Sequence, residues 1–503
     1  MSQSPKIPAA RRFGQGFTSF LRAFTDLLRL PSAFWIVIAV FVVETMAYFA
    51  ALTLMNSFLT RDLGIPATWA GWIVSFFTMF VTLFMLGAGS YAESFGLRKA
   101  LVAAMLLCVA GRVAYALIPA LMSADPDTQT LRLGGLALAA LLACLVVIAL
   151  GEAILQPVCY SGVKQYTDEK TSAMGYGLIY ALMNAGIVVG AALSSYVRPG
   201  VQAVIEARTT GTDVASSGSA PDAVHRWFAD RCGSGFQAVN WICVALAAIA
   251  LVTCFLMTRR VEARKLRPDD TERRRRNDTR PIRERLREYF LEGPFRNGRF
   301  IFFIFMLLPV RTLFAHQWLT MPEYILRVFS RDVSDRMEWL VNWINPGIIF
   351  FGVPIATALT RRVNVYTMMI IGSLVSALPT FLLCASPNVT LLITYFVVFS
   401  IGEALWSARF LEYASELAPE GRIAQYMGLA NVPWLLAKGT TGLYSGYVLD
   451  AFCPPKADPT TFNTSAMWLL YGTIAMASPV GLMLARRWAM TGMKPARRDV
   501  AVR

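Results

Sequence analysis

Charge and histidine are scarce in this sequence. Only 16% of its 503 residues are charged and only two are histidines, against roughly 25% charged residues in an ordinary soluble domain. Too few charges remain to solvate a globular surface of this size. No Gly-x-x-x-x-Gly-Lys-Ser/Thr loop occurs, so ATP-driven chemistry of that kind has no support. Neither a Ser/His/Asp pattern nor a metal-ligand spacing among the eight cysteines is visible, and no catalytic centre, metal or cofactor is expected. Residues 1–30 lack an early apolar core followed by a small-residue cleavage site, which argues against a secretory signal peptide.

What the chain has instead is apolar length. Hydrophobic residues make up 56%, and a membrane-crossing helix needs about 20 of them in succession. Twelve such spans are predicted, near 33–59, 68–88, 100–122, 134–158, 173–197, 236–258, 300–326, 339–360, 366–385, 391–414, 423–448 and 466–485. The fold class is therefore all-α, within a lipid bilayer. Six cysteines lie in or at the ends of these spans; Cys232 and Cys453 fall in connections, where a disulfide and two free thiols both remain open.

The net charge of +15 is distributed as topology requires. Loops and tails on the side of the N-terminus carry 33 lysines and arginines, and those on the other side carry 10. That bias puts both termini in the cytoplasm. The basic excess is a headgroup signal, and a nucleic-acid partner is not expected. Residues 1–32, with Phe13, Phe17, Phe20 and Phe24 among arginines, suit an amphipathic interfacial segment. A bundle over 33–258, a basic linker over 259–299 containing Arg273 to Arg276, a second bundle over 300–485 and a tail over 486–503 complete the division. The longest outer loop, 198–235, is rich in threonine, serine and glycine and reads as flexible.

One pattern occurs twice. Gly89-Ser-Tyr-Ala-Glu93-Ser-Phe-Gly96-Leu-Arg98-Lys99 is matched, 263 residues later, by Gly352 with Arg361 and Arg362 at the same offsets. Each copy sits between two apolar spans, so the chain is built from two equivalent membrane halves. Such duplication points to a transporter. The paired basic residues are expected to engage helix ends and carboxylates such as Glu93 when the cytoplasmic side closes. Small residues at four-residue spacing, for example Gly186, Gly190 and Ser194, are expected to let helix backbones approach.

The first copy of this pattern, with Glu93 where most members carry aspartate, resembles the loop between the second and third helices of the major facilitator superfamily. Four further segments resemble its proton-dependent oligopeptide transporters: Gly151-Glu-Ala-Ile-Leu-Gln-Pro157; Ile179-Tyr-Ala-Leu-Met-Asn184-Ala-Gly186; Asn345-Pro346 with Pro354; and Gly402-Glu403-Ala-Leu-Trp-Ser407, continuing through Glu412, Ala418-Pro419-Glu420 and Met427-Gly428 to Trp434. The resemblance implies two pseudo-symmetric six-helix bundles and a central site. It also implies that Asn184, Asn345 and Glu403 hold a substrate ammonium, whose three donors and lack of an acceptor suit two amide oxygens and a carboxylate. Trp434 would line the same cavity.

The departures are equally specific. The first span keeps one acid, Glu44, where the resemblance implies two acids and an arginine, and Gln156 stands where it implies a lysine for the substrate carboxylate. The spans contain Glu44, Arg112, Glu152, Arg311, His316, Glu403, Arg409 and Lys438, each costing at least about 2.5 kcal/mol at the bilayer centre unless it faces water or a partner. Glu44 shares a face with Tyr48, and Glu152 with Gln156. Glu403 and Arg409 lie roughly 240° apart around a helix and cannot pair. Lys438 is the favoured cation for an anionic substrate group; Arg112 is as well suited to neutralising Glu44 or Glu152. Glu403, Glu44, His316 and Glu152 are the candidates for carrying a proton, with a hydrogen-bonded structural histidine as the alternative at His316.

The expectation is a monomeric, non-enzymatic secondary transporter of a bacterial inner membrane, moving a small peptide or peptide-like solute with protons. A proton-antiport exporter of drugs or metabolites and a non-transporting membrane receptor or assembly factor are the alternatives.

Overall fold

The computed structural model describes residues 28–124, 131–132, 134–168, 171–211, 222–266, 294–360, 363–416, 430, 432–455, 458 and 461–490. Six long helices make the N-terminal half: α1 Ser32–Ser57, α2 Ala67–Phe95, α3 Leu97–Leu117, α4 Gly135–Gln165, α5 Ser172–Thr210 and α6 Gly235–Phe255. Pro31 and Pro66 precede α1 and α2, where a fixed φ and a missing amide suit the first turn. Gly96, at φ +84°, separates α2 from α3, a backbone value that glycine adopts without a Cβ penalty. A two-stranded ribbon, β1 Ser123–Ala124 and β2 Leu131–Arg132, pairs Ser123 with Arg132 ahead of α4.

The C-terminal half is more broken. What reads in sequence as one seventh span is three helices, α7 Gly298–Met306, α8 Leu308–Leu319 and α9 Met321–Val328, with Pro309 and Pro322 just inside the second and third. Proline removes a donor and clashes with the preceding turn, so the axis breaks twice. The Val310 amide, at the first break, donates to Ser478 Oγ at 2.9 Å. The eighth span likewise divides into α10 Met337–Asn342 and α11 Ile344–Leu359. Then come α12 Val365–Ala377, extended by a 3-10 turn to Cys384, α13 Val389–Glu416, α14 Val432–Phe452 and α15 Thr464–Leu484.

Among the described residues, ten helical runs are long and apolar enough to cross a membrane. The eighth and eleventh expected spans correspond to α11, of 16 residues, and to α14, whose 21 residues include Lys438 and Asp450. One boundary is corrected: α5 continues past residue 197 to Thr210, with Pro199 inside it, and Ala223–Ala229 forms a short helix. The first part of the supposed flexible loop is thus helix. Residues 1–27, the linker segment 267–293, and Arg361 and Arg362 lie outside the described residues.

Small residues set the spacing of the helices. A Cβ on Gly190 would lie 2.8 Å from Met46 O, and one on Gly186 would lie 3.1 Å from Val42 O, so the small face of α5 lies directly on the backbone of α1. Gly111 and Gly151 do the same for α3 and α4, with virtual Cβ atoms 3.1 Å from Cys144 O and 2.9 Å from Ala104 O. Between the halves, α2 meets α14, where a Cβ on Gly442 would lie 2.7 Å from Gly71 O. In lipid, where apolar faces gain little by meeting, such close contact supplies much of the association.

Candidate functional site

The glycine seats between α3 and α4 have a direct electrostatic result. Arg112 follows Gly111 and Glu152 follows Gly151, so close backbone approach carries their side chains together. Arg112 Nη2 lies 2.9 Å from Glu152 Oε1, and the same guanidinium binds Glu44 on α1, with Nε 3.0 Å from Glu44 Oε1. Glu44, Arg112 and Glu152 are 1%, 3% and 2% exposed. Cys108 Sγ lies within 4.8 Å of both carboxylates, a donor set a metal could use, but Arg112 already supplies the positive charge between them. Glu44 and Glu152 therefore occupy a buried ion triad, and Tyr48, one turn beyond Glu44, is turned into the core against Phe77.

A second polar cluster is built from α11 and α13. Asn345 donates from Nδ2 to Glu403 at 2.6 Å and to Ser400 Oγ at 3.0 Å. Both amide hydrogens are thereby engaged, and Asn345 Oδ1 stays available as an acceptor. On α5, Asn184 donates to the Tyr180 carbonyl at 2.9 Å, which leaves its own oxygen unused in that bond. Tyr180, 40% exposed, lies within electrostatic reach of Glu403. The structure thus joins Asn345 to Glu403 directly and brings the α5 turn that carries Asn184 to the same region.

Cations and aromatic rings lie nearby. Lys438 on α14 donates to Thr82 on α2 at 3.3 Å and stands 5.4 Å from the ring centre of Trp434. Trp434 packs edge-on against Phe314 of α8 at 5.6 Å. His316, also on α8, is fully engaged: Nδ1 meets Thr320 Oγ1 at 2.7 Å, Nε2 meets the Tyr444 hydroxyl at 3.2 Å, and the ring stacks 3.9 Å from that of Tyr471. Both ring nitrogens of His316 thus have hydroxyl partners. Gln156 is half-buried on α4. An apolar groove of about 480 Å³, lined by Trp69, Trp72, Phe76 and Leu142, lies between α2 and α4 and contains none of these residues.

Bonds that join the halves concentrate at the end of the bundle opposite Leu28 and Met490. Asn56 donates to Leu319 O at 2.8 Å and Asn342 to Thr53 Oγ1 at 2.6 Å. Glu323 accepts from Arg61 at 3.3 Å and from Arg327 at 3.1 Å, and Arg327 reaches Asp450 at 3.2 Å. Arg198 on α5 makes a two-pronged pair with Glu338 on α10, Nη2 to Oε2 at 3.0 Å, and also binds Ser334 O at 2.7 Å. None of these ion pairs is apparent in the sequence. Arg198 sits where a span was expected to end, and Glu323 where Pro322 breaks one, which was the available signal.

At the other end, Glu262 Oε1 accepts the Arg98 backbone amide at 3.1 Å, so an acid after α6 caps the start of α3. Lys99 is exposed beside it, Gly89 lies within α2, and the Glu93 side chain is outside the described residues. Cys232 and Cys453 are separate, buried free thiols. Burial pushes the Cys232 thiol up to about 11 against the pull of Arg231. Because the thiolate is the reactive form, iodoacetamide at neutral pH is expected to spare Cys232 until the protein unfolds. Peptide mass spectrometry checks this; rapid alkylation of the native protein would contradict the burial.

The sequence model of the Major Facilitator Superfamily matches residues 34–439. No curated protein matches the chain. Among solved structures, the fold is similar to a peptide transporter POT in complex with sulfate, with a TM-score of 0.66 and 15% identity over 92% of this chain and 96% of that one. It is similar to a POT family transporter in complex with 5-aminolevulinic acid, at 0.64 and 15% over 91% and 97%. A D-xylose-proton symporter matches at 0.61 and 14% over 89% and 96%.

Proposed function

The chain belongs to the major facilitator superfamily, and on that premise we propose that it is a proton-coupled symporter of small peptides or peptide-like amines. One observation carries this reading: Asn345 spends both its amide hydrogens on Ser400 and Glu403. A carboxylate and an amide oxygen are thereby held side by side as acceptors within a membrane-spanning bundle. A substrate ammonium needs acceptors of that kind, and Asn184 offers a third from the other half.

With the termini in the cytoplasm, as the basic loops indicate, the joined end of the bundle is the outer one. Rocking of the halves about the central site would then open and close the two ends in turn. Glu403 takes the coupling proton from the outer side and releases it inside: the protonated acid travels inward with the substrate, its carbonyl oxygen still accepting from the ammonium, and the ionised acid lets the empty carrier reset. Moving one charge inward gains about 2.3 kcal/mol per 100 mV of membrane potential. Glu44 and Glu152 are held by Arg112, and in this reading they brace α1 against α3 and α4. The paired basic residues Arg98 and Lys99 anchor the cytoplasmic surface of what we take to be a monomer in a bacterial inner membrane. The D-xylose-proton symporter that shares the fold supports the proton-driven reading, and the peptide transporters that share it support the peptide reading.

Proteoliposomes with an inward proton gradient test it. Labelled L-alanyl-L-alanine is expected to accumulate with the native protein. Glu403→Gln should reduce uptake to the level seen without a gradient, while exchange of internal for external dipeptide continues. Unchanged gradient-driven uptake by Glu403→Gln sinks the assignment of Glu403. Absence of uptake by the native protein sinks peptide symport.

A further inference from the structure

Arg311 on α8 is 6% exposed, and its Nε has no hydrogen-bond partner. It has no carboxylate partner among the described residues. Its guanidinium carbon lies 4.2 Å from the ring centre of Phe410, 5.6 Å from Trp406 and 5.9 Å from Trp434. Lys438 approaches the same Trp434 ring at 5.4 Å and likewise has no carboxylate partner among the described residues. Two cations therefore approach one indole, and Arg311 is flanked by three aromatic rings. A buried cation without an anion is costly, and ring faces return only part of what water supplied.

We infer that Arg311 and Lys438, converging on Trp434, form a subsite for an oxyanion carried on an aromatic body. The inference rests on reading the chain as a carrier, because the missing counter-ion is then the cargo itself. With Glu403 ionised, these three residues sum to one positive charge, which a carboxylate, phosphonate or sulfonate neutralises. The guanidinium fork offers paired donors to such a group, and the indole with Phe314 and Trp406 covers its ring. Arg311 places this cationic anchor in the C-terminal half. A cargo bearing both an amine and an acid would extend from Glu403 to this box.

The test needs no transport. Purified full-length protein is titrated with 3-phenylpropionate, 3-phenylpropionamide and 3-phenylpropylamine, reading tryptophan emission and thermal unfolding. The carboxylate is expected to bind at least about tenfold more tightly than the amide or the amine, as loss of one charge-assisted contact implies. Arg311→Gln and Lys438→Gln should each erase that preference; Lys438 is half-buried, so its variant remains informative if Arg311→Gln fails to fold. Equal binding of the three probes, no binding of the carboxylate, or a preference intact in a folded variant overturns the subsite. Failure of dipeptide uptake together with a retained anion preference would instead overturn the symport reading alone.

Discussion

Arg112→Leu is expected to lower the unfolding free energy in mixed micelles by about 3–5 kcal/mol, the usual cost of removing one partner from a buried ion pair. The guanidinium touches Glu44 and Glu152 at once, and both acids are almost fully enclosed. Without it, two carboxylates share one dry site, and each must take a proton or draw in water to remain there. Glu44 Oε2 already has no hydrogen-bond partner, so the triad has no spare donor to compensate. The volume change is small, because leucine fills much of the space vacated by the arginine stem. Most of the loss is therefore electrostatic.

That attribution has its own check. Adding Glu44→Gln and Glu152→Gln to Arg112→Leu should recover most of the lost stability, since a neutral cluster of similar volume often equals or exceeds a buried ion network. The residues touch, so their effects are strongly non-additive and the triple variant reports the coupling. If the triple variant is as unstable as Arg112→Leu, packing between α3 and α4 accounts for the loss. Gly111 and Gly151, whose backbones permit the contact, would then be the decisive residues.

How much of this could be read beforehand depends on where the physics resides. Hydrophobic length and loop charge are local, so the long helices and their alternation were legible. Glycine–backbone contact between α5 and α1 follows from the spacing of Gly186, Gly190 and Ser194, and it is there. Pairing across helices is not local. Arg112 could be given a carboxylate partner from its cost in lipid, but its simultaneous hold on α1 and α4 depends on three-helix geometry. His316 is a similar case: the contacts of Thr320 and Tyr444 with its two ring nitrogens depend on how α8 meets α14, and no residue count reveals them. The joining layer was missed for a different reason. Charges next to a presumed span end look solvated, and only the continuation of α5 to Thr210 and the breaks at Pro309 and Pro322 bring Arg198 and Glu323 inside.

Within that layer, Glu338→Ala is expected to release the joined end of the bundle. Arg198 is 5% exposed and would keep one hydrogen bond, to the Ser334 carbonyl, with the Phe236 ring face and the more distant Asp335 as partial compensation, so the cost again falls at about 3–5 kcal/mol. That cost belongs to the arrangement in which α5 and α10 meet. It shifts the balance toward separated halves by roughly a hundredfold or more, at about 1.4 kcal/mol for each factor of ten. Amide hydrogen exchange reports such opening, and peptides spanning 331–342 should exchange faster by a comparable factor. Arg331→Ala is the contrasting variant. Its pair with Glu206 spans the same two halves at 2.8 Å, but the side chains are 56% and 44% exposed, where a pair contributes about 0–1 kcal/mol. Equal exchange in the two variants would mean that enclosure of Arg198 does not govern closure. The work would then pass to the neutral bonds from Asn56 and Asn342, which hold α1 to α8 and α10 without any charge.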